Sequence, residues 1–331
     1  MQKLAEGVFA VIRKDLPGLM VDANNVFIIN DDDVFVIDAN GAPAITREVL
    51  AALRKLTNKP VRYVINTHYH DDHIRGNQVY REAFPQVEFI ASNFSLDYLR
   101  SQGAVNRKNF LEGAPRFADD LRGLMKSNKS LLGGEMTDEE RASLTSDLKL
   151  IDLVLSEGQI AQTILPTITV KERLTFQRGN RVIEILQPGS GHTAGDLIVH
   201  LPKEGIVITG DLVVSPIPLV GNPQSHINDW AKTLEKIIAL NAKIIVPGHG
   251  SLMRDDAYVR QLANLFSTIK QQAEVAVAKG VTLEEARKTI NLEELRKSFV
   301  GDSKVKKIAF NMYVAGPAVA AAFREAKENQ R

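Results

Sequence analysis

The 331-residue sequence contains no cysteine. This absence excludes disulfide bonds, thiolate zinc fingers and a catalytic thiol together. The sequence also lacks any stretch near the ~20 uninterrupted apolar residues that a membrane-spanning helix needs, and its first six residues lack the apolar core of a signal peptide. We therefore expect a soluble chain with no membrane partner, while the compartment, and a leader removed earlier, stay open.

An excess of charge of one sign is missing too. Forty-one Lys and Arg residues stand against 40 Asp and Glu residues, which gives a net charge of +1. Without a long basic run to follow a phosphate backbone, no nucleic acid is expected as the main partner. The 44% hydrophobic content is sufficient for a large core, as one big domain or as a domain with an elaboration.

Short β-branched or aromatic runs separated by Gly, Pro and Asp residues predict a layered α/β domain. In the first half, strands are predicted at 8–12, 25–29, 34–37, 61–65 and 87–91, with a helix at about 46–56. In the second half, strands are predicted at 182–186, 197–201, 206–209 and 243–246, with a helix from 228 or 229. This repeated order predicts that both halves bring their histidine loops to the same sheet edge.

Two segments have helical periodicity instead. Residues from about 95 to 165 carry apolar stripes and a capping box at Thr137 and Glu140, so they predict a helical insertion. The insertion can serve as a lid over the site, as a dimer surface or as packing only. From about residue 255 onward the chain is predicted to be mostly helical, with a second capping box at Thr282 and Glu285.

The densest chemical signal is the stretch 66–77, which directly follows the predicted strand 61–65. It places His68, His70, Asp72 and His73 within six residues. Imidazoles and a carboxylate are ligands that suit zinc and similar divalent ions. The alternative is a solvated polar turn, but three histidines and an aspartate at this density favour a metal site.

Three further motifs each follow an apolar strand and sit among glycines. His192 lies in Pro-Gly-Ser-Gly-His-Thr-Ala-Gly-Asp, Asp211 in Thr-Gly-Asp, and His249 in Pro-Gly-His-Gly. Glycine lets the backbone turn tightly or approach an ion closely. Five of the seven histidines fall in these motifs and the first cluster, whereas His200 and His226 are weaker candidates.

In order and residue type, these motifs resemble the metallo-β-lactamase-fold hydrolases, whose His-x-His-x-Asp-His motif is matched from His68 to His73. The resemblance covers about residues 5–95 and 165–252. It implies an α/β fold, a four-layer αββα sandwich, with a helical insertion at about 95–165. On this basis residues 1–254 form the main domain, and residues 255–331 form a helical extension packed on it.

The resemblance also implies a role for each ligand. His68, His70 and His192 would hold the first of two Zn²⁺ ions per chain, while Asp72, His73 and His249 would hold the second. Asp211 would bridge the two ions. The same ligands accept Mn²⁺ or Fe²⁺. Two such ions activate a bridging hydroxide as the nucleophile. Asp72 would orient this hydroxide and later accept a proton.

Other residues are assigned supporting roles. Asp38 matches the family's aspartate that supports the histidine loop, and Thr193 and Asp196 flank His192 and could do similar work. Val214 and His226 are expected to lie along the substrate pocket.

The resemblance is most specific to the zinc β-lactamases at 188–202 and 229–250, with two departures. Asp211 stands where the best-known subclass has a cysteine, and Val214 stands where it has a lysine for the antibiotic's carboxylate. Loss of that charged anchor removes roughly 1.5–3 kcal/mol of binding. The pairing of His73 with Asp211 resembles glyoxalase II and lactonases instead.

We therefore expect a dinuclear metal-dependent hydrolase of a small-molecule ester, lactone, thioester or amide, with weak β-lactamase activity compatible with the motifs. The alternatives are a nuclease or phosphodiesterase of the same superfamily, an iron-dependent redox protein, and a non-catalytic binding module with a vestigial site. Retention of His70 argues against the redox protein, in which a glutamate takes that place. Both a monomer and a homodimer are compatible with the surplus helices.

Overall fold

The computed structural model describes residues 1–14, 16–158, 160–221 and 223–329. Its first sheet has seven strands that lie side by side in chain order. They are β1 (Gln2–Ala5), β2 (Val8–Val11), β3 (Asn25–Ile29), β4 (Val34–Ile37), β5 (Val61–Ile65), β6 (Glu88–Ser92) and β7 (Ile168–Val170). The first four strands pair antiparallel and the last four pair parallel.

The second sheet has five strands in the spatial order β12-β11-β10-β9-β8. They are β8 (Arg173–Arg178), β9 (Arg181–Leu186), β10 (Ile198–Leu201), β11 (Ile206–Val214) and β12 (Ile244–His249). All neighbours are antiparallel except β11 and β12, which run parallel. A crossover helix is needed between parallel neighbours, and α7 (Ile227–Ala239) supplies it here.

The two sheets face each other across a buried apolar layer. Val26, Ile37 and Ile65 from the first sheet contact the cluster formed by Ile185 and Val199 of the second. Burial of each such side chain contributes roughly 1.5–3 kcal/mol, so this layer holds the sandwich together. The loops at one end of both sheets then meet at a common edge.

Helices cover both outer faces. The first sheet is covered by α1 (Pro43–Arg54) and α3 (Asn77–Ala83), while the short α2 (Asp71–Ile74) between β5 and α3 carries Asp72 and His73. The second sheet is covered by α7 and α8 (Ala257–Ala278). The predicted αββα sandwich is confirmed, as are the extra C-terminal helices.

The insertion is helical and follows β6. It comprises α4 (Asn93–Tyr98), a π-helical turn (Leu99–Gly103), α5 (Ala104–Ser127) and α6 (Asp138–Gly158). Leu121 of α5 packs with Leu144 of α6 and with Leu19 from the N-terminal segment. The capping box at Thr137 and Glu140 is formed, with Glu140 N donating to Thr137 Oγ1 at 3.3 Å.

The C-terminal extension continues from α8. It consists of α9 (Leu283–Thr289), α10 (Glu293–Val300), α11 (Lys304–Phe310), a π-helical turn (Asn311–Ala315) and α12 (Gly316–Glu328). Residues 330–331 of the extension predicted over 255–331 lie outside the described residues. None of the helices within the described ranges is long and apolar enough to cross a membrane.

The structure corrects the sequence-based elements in two places. The strands β1, β7 and β8 were not predicted from the sequence. In addition, β11 does not end at Thr209 but continues to Val214, across a register shift at Gly210 where φ is +51°. Asp211 therefore lies within a strand and not in a loop, since glycine allows the bulge that lets pairing with β12 resume.

Candidate metal centre

The first histidine loop lies at the carboxyl end of β5. Asp38, at the end of the neighbouring strand β4, accepts hydrogen bonds from Thr67 N and Thr67 Oγ1, both at 2.8 Å. Its Oδ2 also lies 2.9 Å from Nδ1 of His73. The backbone of Asp38 has φ +58°, a left-handed conformation that aspartate tolerates better than most residues. Asp38 therefore supports the histidine loop directly from the adjacent strand.

Three imidazoles form the first group of potential metal ligands: His68, His70 and His192. His192 donates from Nδ1 to the Leu219 carbonyl at 2.8 Å, which leaves its Nε2 lone pair free to face His70 Nδ1 at 2.8 Å. Burial and the neighbouring histidines lower the pKa of His70 to about 3 and keep that of His68 well below its usual value. These imidazoles are therefore neutral, as metal ligands must be.

Asp72, His73 and His249 form a second group. His249 Nε2 lies 3.2 Å from Asp72 Oδ2 and 3.2 Å from His73 Nε2. The other ring nitrogen of His249 donates to the Asp22 carbonyl at 2.9 Å, and that of His73 is held by Asp38. Both Nε2 atoms are consequently directed toward the carboxylates.

Asp211 lies between the two groups. Its carboxylate oxygens are 3.3 Å from His73 Nε2, 3.2 Å from His249 Nε2 and 3.5 Å from His192 Nε2. Burial alone would raise its pKa, but His249 and His73 hold the pKa of Asp211 well below its usual value. A Cβ at Gly248 would stand 2.0 Å from Asp211 Oδ1, so this neighbour must be glycine.

The donor set fits divalent metal ions. The Nε2 atom of His68 is buried and has no hydrogen-bond partner within the described chain, and an unpaired buried polar atom is costly. Nε2 of His73 and Nε2 of His249 also lie 3.2 Å apart, beside the carboxylates of Asp72 and Asp211. Imidazole nitrogens with a minority of carboxylate oxygens are the donors that zinc and related ions select. The structure thus brings all seven predicted ligands together.

Of the expected supporting residues, Thr193 and Asp196 act on the loop backbone. Asp196 accepts from Thr193 N at 2.9 Å and from Thr193 Oγ1 at 2.6 Å. Burial raises the pKa of Asp196 to about 7. Because the imidazole of His192 is oriented by Leu219, these two residues shape the turn that carries His192 but do not contact its ring nitrogens.

The structure separates the two expected pocket residues. Val214 lines a cavity beside His249. His226 is half-buried at the start of α7, where its N–H donates to the Gly191 carbonyl at 2.8 Å. His226 is not among the described residues that line the three cavities around the metal centre, and its place along a substrate pocket stays a prediction. His200 pairs with Glu184 at 2.9 Å on β10, away from the cluster. Asn222, within the predicted pocket loop 221–226, lies outside the described residues.

Sequence reasoning missed an N-terminal segment, residues 16–24, which we call the strap. Besides holding His249 through the Asp22 carbonyl, the strap fixes the turn around that histidine. Asn24 Nδ2 donates to the Pro247 and Gly250 carbonyls at 3.0 and 2.9 Å. The strap is itself held from α6, where the buried Asp147 accepts from the N–H groups of Leu19 and Met20 at 2.9–3.1 Å.

Three cavities open around the centre. The apolar cavity, about 260 Å³, contacts His70, Asp72, His192 and Asp211, and its walls are Leu19, Met20, Val21, Phe110, Leu150, Val154, Leu219, Val220 and Tyr313. A second cavity, about 330 Å³, lies beside Asp22 and His249, and we call it the polar cavity because Arg13 and Lys306 also line it. The rest of its lining includes Ser215, Ser251 and Tyr313 and the apolar residues Leu16, Pro17, Val21, Val214, Pro216, Ile217, Leu219 and Ala309. A third, of about 280 Å³, runs from His70 and Asp72 to Tyr98 and Arg107. Phe110, Leu150 and Val154 belong to the insertion, which thereby forms one wall of the site.

Comparison with known proteins agrees with this geometry. The family model described as metallo-beta-lactamase superfamily matches residues 19–249. A linear primary-alkylsulfatase from Pseudomonas sp. (strain ATCC 19151) is 23% identical over 274 residues, 79% of this chain and 48% of that protein. A type 2 metallo-beta-lactamase from Bacillus cereus is 35% identical over 78 residues, 22% of this chain and 30% of that protein. The chain thus spans less than half the length of either relative. A solved metallo-beta-lactamase from Pontibacter korlensis shares the fold, with a TM-score of 0.56, 18% identity, and coverage of 80% of this chain and 97% of that chain.

Proposed function

Since this chain belongs to the metallo-β-lactamase superfamily, we propose that it is a metal-dependent hydrolase of a small-molecule ester, lactone, thioester or amide. One observation carries the proposal. Seven buried or half-buried ligands form two groups with Asp211 between them. This is a ligand set in which the carboxylate and imidazole donors converge and no cysteine is required.

His68, His70 and His192 would hold one ion, and Asp72, His73 and His249 would hold a second, with Asp211 placed between the two groups. Two Zn²⁺ ions are our first choice, with Mn²⁺ or Fe²⁺ as the alternatives, because the donors do not select among them. When bound, such ions would polarise the scissile carbonyl and lower the pKa of a water molecule so that it becomes a nucleophile at neutral pH.

The protein's own groups then orient the reaction. Asp72 has the more accessible carboxylate, with its side chain 26% exposed against 2% for Asp211. Burial would raise the pKa of Asp72, but His73 and His249 lower it to about 2, so it is ionised at neutral pH. We assign it the orientation of the attacking water and the later acceptance of a proton, a role limited by its low basicity.

The cavity walls support a small, partly apolar substrate. Nine of the apolar cavity's residues carry apolar or aromatic side chains close to the ligands, and apolar walls with a few convergent polar groups are typical of small-molecule sites. A sulfate ester with an alkyl chain is a second candidate substrate. It is supported by these apolar walls and by the alkylsulfatase relative, which aligns over 79% of this chain.

The decisive experiment measures bound metal and turnover on the same protein. Purified chain would be assayed for metal content and for hydrolysis of a chromogenic β-lactam, a lactone, an aryl ester and an alkyl sulfate, before and after chelation. We expect about two metal equivalents and turnover of one substrate class that is lost with chelation and restored with metal. Bound metal without turnover of any of these would overturn the proposed substrate class, and protein that cannot be loaded would overturn the metal assignment.

A further inference from the structure

The polar cavity differs in charge from the rest of the site. Arg13 and Lys306 both line it, and Asp22 is the one carboxylate among its described lining residues. Both cations lie outside residues 19–249, the part that matches the family model. Their position beside His249 is therefore a property of this chain's own N-terminal segment and C-terminal extension.

The carboxylate of Asp22 is already engaged. Its oxygens accept from Asn40 Nδ2 at 3.0 Å and from Gly41 N at 2.8 Å, and Arg13 Nε lies 3.6 Å away. Lys306 is half-buried on α11, and within the described ranges no carboxylate lies within ion-pair distance of its ammonium group. Among the described residues, the ammonium group of Lys306 therefore has no ion-pair partner, and Asp22 is the one carboxylate that lines the same cavity.

The two cavities share a wall beside the metal ligands. Val21, Asp22, Leu219 and Tyr313 line both, with His249 on the polar side and His70 and His192 on the apolar side. A substrate whose scissile bond lies at the ligands would extend one substituent into the apolar cavity and the other toward Lys306. Matching each substituent to its surroundings requires an apolar group on one side and an anion on the other.

We propose that the polar cavity binds a carboxylate carried by the substrate away from its scissile bond, and that Lys306 is the residue that selects it. This inference rests on the proposed hydrolase function. It predicts the substrate class as an ester or amide with a distal carboxylate and an apolar leaving group. Asp22 opposes the anion, but its own hydrogen bonds and Arg13 compensate its charge.

The test compares two chromogenic esters of equal chain length. Mono(4-nitrophenyl) hexanedioate carries a distal carboxylate, and 4-nitrophenyl hexanoate does not. The proteins are the metal-loaded wild type, Lys306→Met, Lys306→Arg and Lys307→Met. Lys307 is the matched control because it is exposed on the same helix and lines neither cavity.

For Lys306→Met we expect KM for the anionic ester to rise at least about tenfold, with kcat and the neutral ester little changed. Lys306→Arg should restore most of the affinity, and Lys307→Met should behave as wild type. Equal losses for both esters, or equal effects at positions 306 and 307, would overturn the assignment of Lys306.

A binding measurement separates this inference from the hydrolase proposal. Calorimetric titration of hexanedioate into the metal-loaded proteins should show at least about tenfold weaker binding for Lys306→Met than for Lys307→Met. If that difference is found while neither ester is hydrolysed, the anion site stands and ester hydrolysis fails as the proposed function. If the esters are hydrolysed but hexanedioate binds both variants equally, the anion site is overturned.

Discussion

Asp72 is the more exposed of the two metal-centre carboxylates, with its side chain 26% exposed against 2% for Asp211, and its contribution can be isolated by truncation. Asp72→Ala should lower kcat about 10²–10⁴-fold because it removes the group that orients water and accepts a proton. The melting temperature of the metal-stripped protein should change little, because the side chain is partly exposed. Steady-state kinetics with His226→Ala as the control tests this. Comparable losses in the two variants would mean that the chemistry lies elsewhere.

Asp38 acts on the site without belonging to either ligand group. Asp38→Asn tolerates the left-handed backbone at φ +58°, yet it loses the carboxylate that holds His73 Nδ1 and Thr67. Metal affinity should fall about 10–100-fold, measured by competition with a chromogenic chelator. Asp33→Asn is the control, since Asp33 is also buried but pairs with Arg178 and Asn30. An unchanged affinity in Asp38→Asn would contradict this role.

Sequence motifs identified the residues whose type and spacing are unusual by themselves. The dense cluster from His68 to His73 and the glycine-flanked His192, Asp211 and His249 are signals of this kind. Asp22 carries no such signal, because it orients His249 through its backbone carbonyl across 227 residues of chain. A carbonyl has no sequence identity, so only the folded chain shows that the strap is part of the site.

At the scale of elements, local pattern predicted strands well where most of their residues are buried. The strands Asn25–Ile29, Val34–Ile37 and Val61–Ile65 begin and end at the predicted residues. The end of β11 was predicted wrongly, at Thr209 instead of Val214, because a glycine such as Gly210 usually indicates the end of a strand. Parallel pairing of Val214 with His249 carries the strand past that glycine, and no local pattern encodes a pairing partner.

The insertion helix α6 stabilises the strap through one buried carboxylate. Asp147→Ala would leave the N–H groups of Leu19 and Met20 without their acceptor, so the free energy of unfolding should fall by about 1–3 kcal/mol. Chemical denaturation measures this loss. KM for apolar esters should rise as well, because Leu19 and Met20 line the apolar cavity.

Asp152→Ala supplies the matched control for that experiment. Asp152 lies on the same helix and pairs with Arg122 at the surface, with its side chain 52% exposed. Its loss should change stability by less than about 0.5 kcal/mol. If Asp147→Ala and Asp152→Ala lowered the free energy of unfolding equally, the strap would not depend on the insertion.

For the whole molecule, the insertion and the C-terminal extension meet over the strap. Leu19 packs with Leu121 and Leu144 of the insertion and with Ile308 and Tyr313 of the extension. The Tyr313 hydroxyl also donates to the Leu19 carbonyl. Sequence periodicity predicted these helices but gave no information on what they cover, because an apolar stripe specifies burial without naming its partner.

Metal removal should act on the whole fold, because the ligands come from both sheets. The first sheet carries His68, His70, Asp72 and His73, while the second carries His192, Asp211 and His249. An ion that binds only the folded chain stabilises it by about 4 kcal/mol at 1,000 times its Kd. Chelation should therefore lower the melting temperature by several degrees, as measured by scanning calorimetry.

The same shift should depend on pH in a defined direction. Burial alone would lower the pKa of His249, but Asp211 and Asp72 raise it to about 10 in the metal-free site. A proton on this ring competes with a metal ion, so metal affinity should rise with pH across the neutral range. In the stripped protein, the raised pKa contributes stability that is complete below the unfolded value near 6.5 and is lost as pH approaches 10. Because metal binding must displace the proton of His249, the difference in melting temperature between loaded and stripped protein should be larger at pH 8 than at pH 6. A difference that grows on acidification would show that the ion is not held by His249.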